Sequence, residues 1–286
     1  MKIVTDCAAD MPAEELRELG IEQAPLYIQF PDGEVSSTDI SADTFYDRLE
    51  AMSPNVPTTA MPSSGLFADI YRKIAKIDKN IFSLHISSGL SGTINAARAG
   101  GDAVRPEANV DFWDTLTLSG GERFQVISAA LAAKAGWTMR AIQERLAKIR
   151  EKTEVVYTLD TLDYLMRGGR IGRVKAMAGA LLHLKPVIRV DTDGKYSTVA
   201  TARTIGKGIS TITEHLYNKY ASAPLWVTVL HGRFADKADA LSNELKAKLN
   251  IAKLEVMRIS PVLGVHTGPG IVGAAVVPVE VVKDLM

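Results

Sequence analysis

The chain has 286 residues, 47% of them hydrophobic and 23% charged, so it can bury a large core and is long enough for two domains. Its 33 Lys and Arg balance its 33 Asp and Glu, which gives no reason to expect a nucleic-acid or membrane-surface partner. One cysteine excludes an internal disulfide, no apolar run approaches the roughly 18 residues of a membrane span, and the N-terminus enters a strand without a signal-like segment, so we expect a cytoplasmic protein.

The first half of the chain alternates between predicted strands and helices. Apolar patterning, helix caps and the positions of glycine and proline predict strands at Lys2–Val4, Gln23–Phe30, 81–86 and Val110–Asp114, and helices at 12–19, 41–52, 64–76, from Thr93 onward, 122–136 and 138–151. This alternation is typical of a mainly parallel sheet covered by helices. We therefore predict an α/β domain that comprises residues 1–153.

Polar side chains follow the first strand, at Thr5, Asp6 and Asp10. Ligands of open α/β sheets bind at the carboxyl ends of the strands, so these residues are candidates to line or brace a site. For Asp10 we favour a simpler role as the cap of the next helix. Cys7 has no cationic neighbour in sequence that would lower the pKa of its thiol, so we do not interpret it as a nucleophile.

Residues 54–64 form a proline-rich loop that contains two threonines. Three prolines within nine positions rule out a helix, Thr58 and Thr59 lie between the last two, and Ser63 caps the next helix. A stiff loop that presents hydroxyl groups at a helix entrance suits a ligand site. A purely connecting loop is an equally good interpretation.

A serine- and glycine-rich turn at 87–93 joins the buried strand 81–86 to the helix that begins at Thr93. Glycines allow close approach of the backbone, and the first N–H groups of a helix lack internal partners, so the turn suits a small anion. An ordinary turn capped by Ser91 is the alternative. Residues 89–93 also begin like a nucleophile elbow, but Thr93 stands where that motif has glycine, so a serine hydrolase that uses Ser91 on a small ester remains the second hypothesis.

The second half begins near residue 154 and has a different pattern. We predict strands at Glu154–Thr158, Val187–Val190, Tyr196–Ala202, Leu225–Leu230, Leu254–Ile259 and Ile271–Val277, and helices at Leu159–Met166, Met177–Leu184, 205–220 and 235–249. The turn at 191–194 indicates a hairpin. Adjacent hairpin strands followed by helices predict an α+β domain of residues 154–286 with a mixed or antiparallel sheet.

Two turns of the second half contain residues suited to anion chemistry. Residues 167–173 hold three arginines among glycines, which suits phosphate or carboxylate, although a solvated basic turn is the more common use of such a run. Residues 263–270 form a second glycine-rich turn, which contains His266. An imidazole there can donate to an anion or transfer a proton, and a structural histidine bonded to backbone is the alternative.

Other patterns carry no functional prediction. We expect His85, inside an apolar strand, to be a satisfied core residue, and we assign no role to His183 or His215. A strand-like run follows the glycines at 268, 270 and 273, so we reject a dinucleotide fingerprint. The sequence contains no P-loop, no zinc-protease motif and no cysteine cluster, and we predict neither a metal nor a cofactor.

The motifs in their order resemble the DegV family. The matching segments cover nearly the whole chain and comprise Val4-Thr5-Asp6 with Asp10, Pro57-Thr58-Thr59 with Pro62-Ser63, residues 86–93, Thr158-Leu159 with Leu165 and residues 168–172, Lys185-Pro186, and residues 266–270. The family is similar to the fatty-acid-binding subunit of bacterial fatty acid kinase. That resemblance implies a long acyl chain held between the two domains, with its carboxylate presented to a separate kinase subunit that binds ATP.

The resemblance also implies the residues of the site. Thr59 and Ser91 correspond to the hydroxyl groups that hold the carboxylate, and Arg170 and His266 lie near the head group. Thr58 and Gly92 are the neighbouring ligand-binding candidates. The chain is then a lipid-binding subunit without catalysis of its own, in which Arg170 assists phosphoryl transfer, and transient membrane contact serves acyl exchange.

Three departures from the family pattern occur in this sequence. Cys7 replaces a serine, Ala60-Met61 replaces a Ser-Gln pair, and residues 113–116 read Trp-Asp-Thr-Leu. We expect the first and third to affect rim contacts and chain-length preference, while the carboxylate contacts are intact.

Overall fold

The computed structural model describes residues 1–175 and 184–283, which form three β-sheets with helices packed around them. In the first half the strands are β1 (Lys2–Asp6), β2 (Ile21–Ala24), β3 (Tyr27–Phe30), β4 (Gly33–Ser36), β5 (Thr58–Ala60), β6 (Asn80–His85) and β7 (Asn109–Asp114). The helices are α1 (Ala13–Leu19), α2 (Ala42–Ala51), α3 (Ser64–Ala75), α4 (Thr93–Ala103), α5 (Ser119–Lys134) and α6 (Met139–Lys152).

The second half contributes β8 (Glu154–Leu159), α7 (Asp163–Arg167), β9 (Lys185–Val190), β10 (Tyr196–Ala202), α8 (Ile205–Tyr220), β11 (Leu225–His231), α9 (Ala235–Lys248), β12 (Ile251–Arg258), α10 (Pro261–Thr267) and β13 (Ile271–Pro278). Short 3-10 helices cover Cys7–Ala9, Gly172–Val174 and Val279–Val281. All but the last residue of the predicted helix Met177–Leu184, together with His183, lies outside the described residues.

The two larger sheets confirm the predicted fold class. Strands β2-β1-β6-β7 form a parallel sheet, and strands β10-β9-β8-β13-β11-β12 form a mixed sheet in which β11 and β12 are the parallel pair. The remaining neighbours of the mixed sheet are antiparallel. The predicted division at residue 153 falls between α6 and β8 and stays a prediction as a domain boundary.

A small antiparallel sheet, β4-β3-β5, was absent from the sequence prediction, which placed one strand at Gln23–Phe30. Pro25 interrupts that run because it has no N–H for a ladder, and the N–H of Leu26 donates to the Cys7 sulfur at 3.2 Å instead. The chain therefore leaves the parallel sheet at Ala24 and enters the small sheet at Tyr27. The threonines of the proline-rich loop form its edge strand, β5, which is where a sheet tolerates nearby prolines.

Helix α5 lies between the two large sheets and packs on β1 and on β13. A Cβ atom on Gly120 would lie 2.6 Å from the Cβ of Ala275, so glycine permits this close approach. The largest hydrophobic cluster contains residues of both halves, among them Phe82, Phe124, Tyr157 and Trp226. Across the described segments, no helix combines the length and apolar character needed to cross a membrane.

Candidate functional site

A cavity at the junction of the two halves brings together residues that lie far apart in sequence. It encloses about 430 Å³ of unfilled space, part of which is open to solvent. Its lining consists of Leu26, Thr59, Ile86, Leu90, Ser91, Leu118, Arg170, Tyr196, Val262, Leu263 and His266. Four of the six predicted ligand-binding residues are in this set, and their side chains cluster beside an aliphatic wall.

Thr59 reaches the cavity from the small edge strand. Its partner in β3 is Ile28, and its Oγ1 lies 2.9 Å from Nε2 of His266. Thr58 precedes it, and because side chains alternate along a strand, the Thr58 side chain is exposed and lies outside the cavity lining. A ligand contact by Thr58 stays a prediction that the geometry does not support.

Ser91 lies in the turn between β6 and α4. Gly92 occupies the N-cap position and provides no side-chain cap, so the alternative interpretation, in which Ser91 is the cap of this helix, is wrong. The Ser91 hydroxyl is instead 2.8 Å from Oγ1 of Thr93, and it accepts the N–H of that residue at 3.3 Å. The Ser91 hydroxyl therefore remains at the cavity surface.

Met61 covers Gly92 at the rim of the cavity. A Cβ on Gly92 would lie 2.9 Å from the Met61 sulfur, and the Met61 side chain is 50% exposed. Gly92 itself does not line the cavity. Its lack of a side chain provides the space that the Met61 side chain occupies. The Ala60-Met61 departure from the family pattern is thus located at the mouth, one residue beyond the edge strand.

His266 lies on a short helix, which corrects the prediction of a glycine-rich turn. Proline at the first position starts α10. Gly264 lies within this helix and Gly268 follows it, and these glycines suggested a loop. Gly168 packs so closely against the imidazole that a Cβ atom on this residue would lie 2.1 Å from Nδ1 of His266. Burial, together with the positive charge of Arg170, lowers the pKa of His266 to about 4.

The two ring nitrogens of His266 have different environments. Nε2 bonds with the Thr59 hydroxyl, whereas buried Nδ1 has no hydrogen-bond partner among the described residues. An unpaired N–H is rarer in protein interiors than an unpaired acceptor, so the tautomer with hydrogen on Nε2 is favoured. In that tautomer Nε2 donates to Thr59, and the hydroxyl hydrogen of Thr59 is free to donate to a ligand in the cavity.

Arg170 connects the second half of the chain to the serine-rich turn. Its guanidinium donates to the carbonyl oxygen of Leu90 at 3.3 Å and to that of Gly168 at 2.7 Å. Arg170 is partly buried, whereas Arg167 is exposed and Arg173 forms ion pairs with Asp191 and Asp193. The interpretation of this segment as a solvated basic turn is thus correct for Arg167, whereas Arg170 lines the cavity.

A buried hydrogen-bond network supports the strand that leads into the serine-rich turn. Asp6 lies 3.0 Å from Nδ1 of His85 and accepts the N–H of Ile86 at 3.0 Å. Nε2 of His85 is 2.7 Å from Ser83 Oγ, which pairs with the hydroxyl of Tyr71. The prediction that His85 is a satisfied core residue is confirmed, and Asp6 braces the site without lining it.

The other two predicted polar candidates, Thr5 near the end of β1 and Asp10 after it, also have structural contacts. Thr5 donates to Glu122 at 3.3 Å. Asp10 accepts the hydroxyl of Ser119 and the backbone N–H of Ser260 at 2.7 Å, and the N-cap of α1 is Pro12, so the predicted capping role of Asp10 is wrong. Burial raises the pKa of the Asp10 carboxyl to about 6.

Cys7 is buried and unreactive in this fold. Burial, with the nearby negative charge of Asp6, raises the pKa of its thiol well above the ordinary value. Since the thiolate is the nucleophilic form, this environment agrees with the expectation that Cys7 is not a nucleophile.

Sequence reasoning missed the contribution of the β9–β10 hairpin. Ser87 donates its hydroxyl to the carbonyl oxygen of Gly194 at 2.8 Å, and a Cβ on Gly89 would lie 2.8 Å from the same oxygen. Tyr196 extends from this hairpin into the cavity lining. The turn chemistry at 191–194 was visible in the sequence, but its contact with residues a hundred positions earlier was not.

Comparison with known proteins gives one consistent result. Residues 1–279 match the family model described as "Uncharacterised protein, DegV family". A DegV domain-containing protein of Deinococcus radiodurans is 35% identical over 278 residues, which cover 96% of this chain and 95% of that protein.

Solved structures agree with this assignment. A fatty-acid-binding DegV family protein from Thermus thermophilus superposes with a TM-score of 0.91 at 28% identity, covering 97% of this chain and 99% of its own. DegV from Bacillus subtilis, described as a fatty acid binding protein, has a TM-score of 0.87 at 27% identity, with 97% and 98% of the two chains covered.

Proposed function

Because this chain belongs to the DegV family, we propose that it binds a long-chain fatty acid in the cavity between its two halves. Thr59, Ser91 and His266 hold the carboxylate, and the acyl chain lies along the aliphatic wall. The observation that carries this proposal is that these three polar side chains line one cavity whose other lining is mostly aliphatic. The names of the structural neighbours support the same ligand class.

The tail supplies the affinity and the head group supplies the orientation. Each buried CH₂ of an acyl chain contributes about 0.8 kcal/mol, so a long tail outweighs the cost of desolvating one carboxylate. The hydroxyl of Thr59, freed by the hydrogen bond from His266, and the hydroxyl of Ser91 are neutral donors to that carboxylate. Neutral donors leave its oxygens more nucleophilic than a full ion pair does.

We further propose that the bound carboxylate is presented to a separate kinase subunit. In that step a carboxylate oxygen attacks the γ-phosphoryl group of ATP, ADP leaves, and an acyl phosphate forms. The sequence has no ATP-binding motif, so ATP must come on another protein. Arg170 borders the cavity beside Ser91 and Leu90, where its guanidinium can stabilise charge that develops on the transferring group.

The serine hydrolase hypothesis has less support. The Ser91 hydroxyl pairs with Thr93, whereas His266 pairs with Thr59, so no imidazole of residues 1–175 and 184–283 forms a hydrogen bond with Ser91. Nδ1 of His266 lacks the carboxylate partner that orients a catalytic histidine, as far as the described residues extend. Tight binding of an acyl chain without ester turnover is the expected behaviour.

The direct test is identification of the ligand of purified protein. Native mass spectrometry followed by lipid extraction should give C14–C18 acids at close to one molecule per chain. The same sample is then incubated with p-nitrophenyl esters. A protein that carries no fatty acid and fails to bind added palmitate or oleate contradicts the proposal, and ester turnover that Ser91→Ala abolishes would favour the hydrolase.

A further inference from the structure

A second, larger hollow lies behind the cavity, on the other side of a thin wall. We call it the rear groove. Its apolar lining includes Met11, Leu16, Ala42, Val256, Met257 and Pro261, and it holds about 1070 Å³ of unfilled space, much of it open to solvent. The Val256 side chain is 45% exposed. None of the sequence motifs assigns a role to this groove.

Two hydrogen bonds join residues that line the cavity to residues that line the rear groove. Leu26 lines the cavity, and its N–H donates to the sulfur of Cys7, which lines the groove. Val262 lines the cavity and donates its N–H at 3.0 Å to Ser37 Oγ, which lines the groove. Pro261, the residue before Val262, faces the groove.

Helix α10 gives the direction from the head group to the groove. His266 is near its C-terminal end, Val262 is about one turn earlier, and Ser260 at its N-cap lines the rear groove. Six residues of α-helix rise about 9 Å, so Ser260, and with it the edge of the rear groove, is about 9 Å along the helix from His266. An extended long acyl chain exceeds this distance.

We propose that the rear groove receives the methyl end of acyl chains that are longer than the cavity. This inference rests on the proposed function and assigns a second subsite to the same ligand. We expect side-chain rotation of Leu26 and Val262 to open the wall while their backbone N–H groups keep their bonds to the Cys7 sulfur and the Ser37 hydroxyl. Cys7, where the family pattern has serine, makes this wall less polar and easier for an alkyl chain to pass.

Chain-length dependence distinguishes a tail in the groove from other occupants. Each CH₂ buried from water raises the affinity about fourfold, so a side chain that fills the groove should weaken the binding of long acids and leave the binding of short acids unchanged. Ala13→Trp and Ala42→Trp place a large ring in the groove from positions at its rim, where folding is not at risk. Ala240→Trp, on the exposed face of α9, is the matched control.

The experiment measures dissociation constants for laurate and stearate with these three variants and the wild-type chain. We expect each groove variant to weaken stearate at least tenfold and laurate less than twofold, with no change in the control. Stearate that carries a diazirine at its terminal carbon should, on irradiation, label groove residues such as Met11, Leu16 or Met257.

Three results would overturn the assignment. Equal effects on both acids, no effect on either, or labels confined to residues outside the groove would each place the methyl end elsewhere while leaving fatty acid binding intact. Failure of the wild-type chain to bind either acid would instead refute the proposed function itself.

Discussion

His85 and His266 both pair with a hydroxyl oxygen, yet their surroundings differ in one decisive respect. His85 is fully buried, and its two ring nitrogens contact Asp6 and Ser83, so no capacity for a ligand remains. His266 contacts Thr59 through one nitrogen, while the other packs against Gly168 and has no hydrogen-bond partner in the part of the chain that the structure describes. A complete network maintains a fold, whereas an incomplete one beside a cavity leaves a hydroxyl hydrogen to be used by a ligand.

The comparison extends to the electrostatics of the two regions. The pKa of His266 is lowered because burial and the positive charge of Arg170 disfavour its protonated form. The carboxylate of the proposed fatty acid ligand would bring a negative charge to this position, so the charge of the ligand complements that of Arg170.

The largest effect should follow removal of the Arg170 guanidinium. Arg170→Ala should cut acyl-phosphate formation with the kinase subunit at least roughly a hundredfold, because charge on the transferring group loses its stabilising partner, while acyl affinity changes only a few-fold. Arg167→Ala, which removes an exposed guanidinium from the same turn, is the control. If acyl affinity and acyl-phosphate formation fall by the same factor, Arg170 contacts the ligand in the ground state. If neither changes, Arg170 has only a structural role.

The next effect is a pH dependence of stability that His266 introduces. Its pKa of about 4 in the fold lies below the ordinary value of 6.5, so the unfolded chain binds the proton more readily between these values. The free energy of unfolding should therefore fall as the pH drops from 6.5 toward 4, by an amount on the order of 2 kcal/mol from this group. Above pH 6.5 its contribution is constant.

A difference measurement isolates this effect from the other groups. Asp10, whose pKa is raised to about 6, acts in the opposite direction over much of the same range. Subtracting the urea unfolding curves of His266→Gln from those of the wild-type chain at each pH cancels the Asp10 contribution. A flat difference between pH 7 and pH 4.5 would show that the imidazole is not shielded from solvent.

The smallest of the three effects concerns two adjacent threonines. Thr59→Val should weaken palmitate binding about tenfold, because it removes one neutral hydrogen bond worth on the order of 1–2 kcal/mol. Thr58→Val removes the same hydroxyl group from the neighbouring residue, whose side chain is exposed, and should change the palmitate affinity less than twofold. Equal losses in the two variants, measured by calorimetry, would place the head group away from β5.

The sequence predicted both large sheets because their strands and helices carry local signals. Turn chemistry and the family resemblance also pointed to Thr59, Ser91, Arg170 and His266, which line one cavity in the structure, while their roles in binding stay predictions. The sequence prediction missed the interruption at Pro25 and the α10 helix, whose glycines at 264 and 268 imitate a loop. The cavity wall at Tyr196 and the contact between Gly194 and Ser87 depend on long-range packing, which no local pattern encodes.

Asp10 shows a related limit of local reasoning. Its position before a helix favoured a capping role, but the backbone of Asp10 adopts a left-handed conformation, and its carboxylate bonds to residues 119 and 260. A distant pair of donors outweighed the adjacent helix. The sequence around Asp10 does not indicate that its carboxylate bonds to residues 119 and 260 instead of capping the next helix, because these donors lie more than a hundred residues away.

The central claim is that a fatty acid carboxylate lies against Thr59 and His266. The carbonyl ¹³C resonance of [1-¹³C]palmitate bound to the protein tests this claim most directly. We predict one bound resonance, distinct from that of free palmitate, that shifts in Thr59→Val and His266→Gln and stays in place in Thr58→Val. A bound resonance that is identical in all four proteins would contradict the account.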